Sequence, residues 1–359
     1  MSKSLDFFAA ANSSEGFYSL FSELYGLDDL PHVKLIWGGP GTGKSTLCKK
    51  IADRLIESDL DCELIHCSSD PDSLDGIICP QKNAVILDAT PPHTVKPRAA
   101  GVIENLIDIG QFWDRNKLRT DAASIANLFS EISAEYTLVY RDIASAGDFA
   151  AVKQKYGVKM LDVKKTRKFA GRFCSKFIPK GEGRGKRKDR FLSGVTPNGF
   201  LFYVDTVTAL CDKLFLIEDD AGTAAEVLIG LIGEYALENG YDCYYCRCPM
   251  RPEHTEHLLI PKLGIAILTK NAFHGKALSG KEIEAERFYI RPIYRDFGTV
   301  FSIYDSTIEK RLNCACMRLE KIKKRHDDLE AFYKAAMDFS KIEELAEKTA
   351  EEIILLSDN

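Results

Sequence analysis

Short apolar runs alternate with longer amphipathic stretches along this chain. VKLIW (33–37), CELIHC (62–67) and AVILD (84–88) are strand-length and apolar, and the stretch 44–58 between the first two repeats at helical spacing over about four turns. The same order recurs as KLFLI (213–217), a helix over 225–238, CYYCRC (243–248) and IAILT (265–269). A strand-turn-strand precedes each set, with turns at 13–16 and 196–199. Weaker fourth strands are expected at NLIDI (105–109) and RFYIR (287–291), and helices close each set over 121–156 and from about 305 to 356. Strands alternating with helices predict an α/β protein with mainly parallel sheets.

The recurrence is a duplication. Residues 38–93 align with 219–274 at an offset of 181, without a gap and with 13 identities in 56 positions, including Gly41/Gly222, Asp61/Asp242, Cys67/Cys248 and His93/His274. Upstream the offset becomes 183, pairing FFAAANSSEGF with FLSGVTPNGF. Two tandem copies of one unit are therefore expected, over 1–157 and 190–359, with a linker over 158–189.

Between the first strand and helix lies GGPGTGKST: Gly38, Gly39, Pro40, Gly41, Thr42, Gly43, Lys44, Ser45 and Thr46. The spelling G-x-x-x-x-G-K-[ST], after a strand and opening a helix, suits a phosphate cradle. Glycines let successive N–H groups point at phosphate oxygens, and the helix N-terminus adds its positive dipole. Lys44 offers a point charge to the β- and γ-phosphates, and the Ser45 hydroxyl offers a ligand to Mg²⁺. On these residues the chain resembles the P-loop NTPases, in a spelling closer to the ATPase branch than to the GTPase branch; no N-K-x-D guanine motif occurs. With CSSDPDSLDG and DATPPH it is also similar to uncharacterised bacterial two-copy P-loop ATPases. The resemblance implies two P-loop-like domains, ATP and Mg²⁺ as ligands, and an ATPase as the activity.

Such sites need a carboxylate at the end of an apolar strand to hold the metal's water shell. Asp88, closing VILD, takes that place, with Asp70 as its rival. Ala89 stands where hydrolysing enzymes often carry a glutamate, so no water-activating base is identified, and His93 reads better as a structural imidazole. In copy two the loop reads DDAGTAAEV: Ala225 replaces Lys44, Glu226 replaces Ser45, Asp219 and Asp220 replace Gly38 and Gly39, and Thr269 replaces Asp88. Anion binding there is electrostatically unfavourable, and one nucleotide per chain is expected.

Composition narrows the setting. With 45% hydrophobic and 28% charged residues in 359, no apolar run of spanning length and no export signal at the N-terminus, a globular cytoplasmic protein that makes no membrane contact is expected. Eleven cysteines, an odd number spread through apolar stretches, are expected as reduced core thiols. Cys243, Cys246 and Cys248 with His254 and His257 lack paired metal-knuckle spacing and read as a buried strand, so no transition metal is expected from them. The net charge of −5 is segregated. Residues 164–190 carry twelve Lys/Arg against two acids, a local +10, which leaves −15 elsewhere. With Phe169, Phe173, Phe177 and Phe191 interleaved, that segment suits a nucleic acid or other polyanion, or a tether. Three functions stay open: a Mg²⁺-dependent ATPase, a small-molecule phosphotransferase, and an ATP-dependent switch that grips a partner.

Overall fold

A computed structural model describes residues 3–271 and 278–358, so His274 lies outside the described residues. The first half runs β1 (Ser4–Phe8), β2 (Ala10–Ser13), β3 (Gly16–Ser19), β4 (His32–Trp37), α1 (Lys44–Glu57), β5 (Cys62–Cys67), β6 (Asp70–Cys79), β7 (Ala84–Asp88), β8 (Glu104–Asp108), α2 (Arg115–Thr120), α3 (Ala122–Met160) and α4 (Val163–Phe177). The second runs β9 (Arg187–Arg190), β10 (Ser193–Thr196), β11 (Gly199–Phe202), α5 (Val204–Leu210), β12 (Lys213–Glu218), α6 (Thr223–Glu238), β13 (Cys243–Arg247), β14 (Thr255–Ile260), β15 (Ile265–Lys270), β16 (Lys281–Glu284), α7 (Arg291–Ala336) and α8 (Ser340–Ile354).

The duplication is visible in the register. One six-stranded sheet has the order β1-β5-β6-β7-β4-β8 and the other β9-β13-β14-β15-β12-β16. His32 faces Ala84 in the first, and Lys213 faces Ile265 in the second, each pair displaced by the same 181 residues. The sheets are mixed. β1 with β5, β7 with β4 and β4 with β8 run parallel, whereas β6 runs antiparallel to both of its neighbours, as β14 does in the other half. β6 hides in the sequence because DPDSLDG reads as a turn. Its Pro71 is near the strand's start, where a missing N–H is tolerated. A Cβ on Gly76 would lie 2.6 Å from the Ile86 carbonyl oxygen, so only glycine lets β7 come this close.

Two expectations change. The fourth strand of the second half is β16, and RFYIR passes instead through a 3-10 turn (Ala285–Phe288) into α7, because Phe288 and Tyr289 are drawn into the core beside α6. The stretch expected as a linker is largely ordered. Ala170, Phe173 and Cys174 recur at helical spacing on α4 and are buried against α6, and β9 forms the edge of the second sheet.

The last helices are exchanged between the halves. α4 follows the first sheet yet covers α6, whereas α8 follows the second sheet yet covers α1, placing Ile342, Ala346, Ala350 and Ile353 against Leu47, Ile51 and Leu55. α3 and α7 pair lengthwise and antiparallel, since Asp114 N–H reaches the Ala336 carbonyl at one end and Lys153 meets Asp305 near the other. Among the buried positions of α7, Ile308, Leu312, Ala315, Leu319, Ile322 and Leu329 alternate spacings of four and three and close with a seven, the heptad pattern of a coiled pair. Where the halves meet, Phe8 and Phe191, equivalent at the offset of 183, exchange two 2.9 Å backbone hydrogen bonds. Reciprocity of this kind marks a two-fold-like interface. Nearby, the buried Arg190 guanidinium bonds the Glu63 carboxylate at 2.9 and 3.0 Å, and the Tyr244 hydroxyl donates to it at 2.6 Å. Burial opposes ionisation of Glu63, but Arg190, Lys188 and Tyr244 prevail and hold its pKa below the ordinary range.

Candidate functional site around the first glycine loop

The loop 38–46 leaves β4 and opens α1. Gly41 (φ +64°) and Gly43 (φ +91°) are left-handed, and Gly43 is the N-cap of α1. The loop thus leads into the positive end of a helix that is itself anchored by Leu47, Ile51 and Leu55 in the core. Lys44 Nζ donates to the Gly38 and Gly39 carbonyls at 2.9 and 2.8 Å and lies 3.6 Å from Asp88 Oδ2. The structure therefore brings Lys44 and Asp88 together. Ser45 Oγ accepts from the Leu74 N–H at 3.0 Å, which ties the start of α1 to β6. Asp88 is buried, and its Oδ1 accepts from the Thr90 N–H at 2.8 Å. Thr90 Oγ1 in turn donates to the Gly38 carbonyl at 2.9 Å, which pins the loop to the end of β7.

Asp70 is placed differently. Its carboxylate accepts from Ser73 Oγ at 2.7 Å and lies 3.7 Å from Lys323 of α7, so its partners belong to the start of β6 and to the coiled pair.

Sequence reasoning passed over Asp75. The β6–β7 register sets Gly76 opposite Leu87, which makes Asp75 and Asp88 cross-strand neighbours. His93 Nε2 lies 3.3 Å from Asp75 Oδ2, and one ligand atom from each of Asp75, Asp88 and His93 falls within 4.8 Å of the other two. Burial pushes the Asp75 carboxyl up, His93 pulls it back and Asp88 pushes it further, with a net rise. His93 stacks on Phe21 at 4.6 Å and meets Phe17 edge-on at 5.2 Å, so the region before β4 aims the imidazole. The only signal in the sequence is the spacing of a carboxylate one position before a glycine in a strand that itself was not legible.

The second half supplies the roof. A Cβ on Gly39 would stand 2.8 Å from Tyr333 Cε1, and one on Gly41 would stand 2.8 Å from the Glu330 carbonyl oxygen. Phe339 and Ile342 approach Gly43. Gly39 and Gly41 thus have a packing reason as well as a chemical one. Trp113, 6.0 Å from Tyr333 between ring centroids, borders the same loop.

The second glycine loop is filled from within. Asp219, the counterpart of Gly38, is buried, and its carboxylate accepts from Ala221 N–H at 3.2 Å, Ala225 N–H at 2.9 Å and the Tyr289 hydroxyl at 2.8 Å. Glu226 turns away to His254 Nδ1 and Gln154 Nε2, both at 2.7 Å. A cavity of about 100 Å³ beside this loop, lined by Lys153, Gln154, Arg251 and His254 among others, is well below the roughly 300 Å³ at which small-molecule sites begin.

Ten of the twelve cations of the basic segment fall into two groups. Lys164, Lys165, Arg167, Lys168, Arg172 and Lys176 are exposed along α4. Arg184, Lys186, Arg187 and Arg190 are paired with Glu234, Asp29, Asp189 and Glu63. Its aromatic residues are not free to stack on bases: Phe173 and Phe191 are buried, and Phe169 and Phe177 pack on the second core. Among the described residues, no helix is long and apolar enough to cross a membrane.

Comparison with known protein families, with curated proteins and with solved structures finds no match for this chain. The chemistry of the site has to be argued from its own geometry.

Proposed function

We propose that the chain is an ATP-binding protein of P-loop type and a Mg²⁺-dependent ATPase with one working site. The observation that carries this reading is the convergence at loop 38–46: left-handed glycines at a helix N-terminus, with Lys44 held between the loop carbonyls and Asp88. Incoming β- and γ-phosphates would take over the Lys44 ammonium from neutral carbonyls, a charge-assisted exchange. Ser45 and Asp88 would then serve Mg²⁺, the serine as a ligand and the aspartate through the metal's water shell. Because Tyr333 and Glu330 rest on the loop, nucleotide entry displaces the end of α7, and occupancy is thereby linked to the coiled pair. Such a link suits an ATPase that moves its halves.

Calorimetric titration of Mg²⁺-ATP into the wild type and Lys44→Ala tests the reading. Lys44→Ala should weaken binding about 100-fold, roughly 3 kcal/mol; equal affinities reject it. Trp113 fluorescence should change on binding, and Asp88→Asn should depress ADP release more than affinity.

A second reading concerns the partner. Six exposed cations on α4, with no ion pair to any of them among the described residues, favour a polyanion surface. Mobility-shift assays with single- and double-stranded nucleic acid at two salt concentrations decide it, since phosphate contacts weaken steeply with salt. An absence of shift at low salt removes the reading.

A further inference from the structure

We propose that Asp75, Asp88 and His93 bind a divalent first-row transition-metal ion directly, without nucleotide. Two carboxylates facing each other across neighbouring strands repel, and both are buried here, Asp75 at 6% and Asp88 at 6% exposure. Such a pair calls for positive charge between its members. Lys44 meets only Asp88, at 3.6 Å, and is claimed by the loop carbonyls. Asp75 Oδ2 is buried and accepts no well-formed hydrogen bond, its close neighbour being His93 Nε2 at 3.3 Å. A buried carboxylate oxygen that accepts no hydrogen bond and faces an imidazole is an independent sign of a missing ligand.

The geometry suits an ion. Metal–oxygen and metal–nitrogen bonds of about 2.0–2.2 Å hold ligand atoms roughly 3–4.4 Å apart, and the three groups already converge within 4.8 Å. Two carboxylates and an imidazole favour Mn²⁺, Co²⁺ or Zn²⁺ over Mg²⁺, because nitrogen donors suit borderline cations and Mg²⁺ keeps to oxygen and water. The three ligands arise from β6, the end of β7 and the loop after it, so the ion would clasp the strand pair on which Asp88 is presented. The second half has no such pair: Thr269 replaces Asp88, and its hydroxyl donates to the Glu256 carbonyl.

The inference shares Asp88 with the proposed nucleotide site but needs neither ATP nor Lys44, and the test uses that separation. Co²⁺ and Mn²⁺ are titrated into the full-length, nucleotide-free protein, followed by Co²⁺ absorption and Mn²⁺ magnetic resonance, with circular dichroism to verify that each variant is folded. One ion per chain is expected, with binding weakened more than about tenfold in Asp75→Asn and in His93→Gln. Lys44→Ala should bind Co²⁺ at least as tightly as the wild type, since a competing cation leaves Asp88. Wild-type binding that survives both ligand substitutions, an absence of binding at millimolar ion, or binding that appears only with ATP and vanishes in Lys44→Ala would overturn the proposal.

Discussion

The two glycine loops differ in backbone course and in what fills them: Gly41 and its counterpart Gly222 are both left-handed, but Gly43 is left-handed as well and caps α1, whereas α6 already begins at Thr223. In loop 38–46 the position of Asp219 is a glycine, and the charge at the helix mouth is the Lys44 ammonium, held by carbonyls. In the second loop a carboxylate from the chain itself takes the amide groups. In the second loop the nest of N–H groups, which would favour an anion, is thus satisfied internally. The second loop therefore differs by more than the missing lysine: its buried N–H groups have an intramolecular acceptor, because buried unpaired N–H groups are costly.

The comparison extends to the covers of the two loops, and there the largest effects are expected. Since α4 covers α6 and α8 covers α1, Phe173→Ala should cost about 3–5 kcal/mol and Ile342→Ala about 2–4 kcal/mol in chemical denaturation. The second should also disturb nucleotide binding, because Ile342 packs on α1 beside Gly43. If Phe173→Ala disturbed the first loop instead, the exchange of helices would be misassigned.

Next comes stoichiometry. Titration should saturate at one nucleotide per chain, and Ala225→Lys should not create a second site while Asp219 holds the nest. Two equivalents in the wild type would break the contrast between the loops.

Asp219→Ala should destabilise by about 1–3 kcal/mol, as it leaves the amide groups and Tyr289 without their acceptor, and should leave ATP affinity unchanged. Burial pushes the Asp219 carboxyl up, while the amides of Ala225, Gly222 and Ala221 and the Tyr289 hydroxyl pull it back, with a net rise. The folded chain thus holds that proton more tightly than the unfolded chain. The resulting stability is complete below the unfolded pKa and is lost as pH rises through the folded value. Denaturation at a series of pH values should show this decline in the wild type and a shallower one in Asp219→Ala.

The smallest effect is expected at the exposed pairs between α1 and α8, Lys50–Glu343 at 2.6 Å and Arg54–Glu347 at 3.1 Å. Glu343→Gln and Glu347→Gln should each shift the denaturation midpoint little, and less at high salt. Larger values would mean that charge, and not the apolar stripe, seats α8.

Much of the fold was legible in particular residues. VKLIW, AVILD and their counterparts are strands, and the duplication reappears as an identical register. β6 was not legible, because strand residues in the middle of a sheet take their partners from both sides, and those partners can override turn-like composition such as DPDSLDG. α4 was concealed by its charge: six cations in fifteen residues obscure a stripe of Ala170, Phe173 and Cys174 whose meaning depends on finding α6 opposite. Of the candidate site, the loop and Asp88 were legible. Asp75 was not, since a lone aspartate acquires significance from the strand that runs beside it.

The sequence alone determined the local chemistry: which loop keeps its glycines, lysine and hydroxyl, and where most strands and the helix after each glycine loop form, because these follow from short-range sterics and periodicity. Only the tertiary structure decided which groups meet. That α8 covers the first loop's helix, that Asp219 fills the second loop, and that Asp75, Asp88 and His93 converge depend on chain reversals and long-range packing, where free energy is shared among residues far apart in sequence and leaves no periodic trace along it.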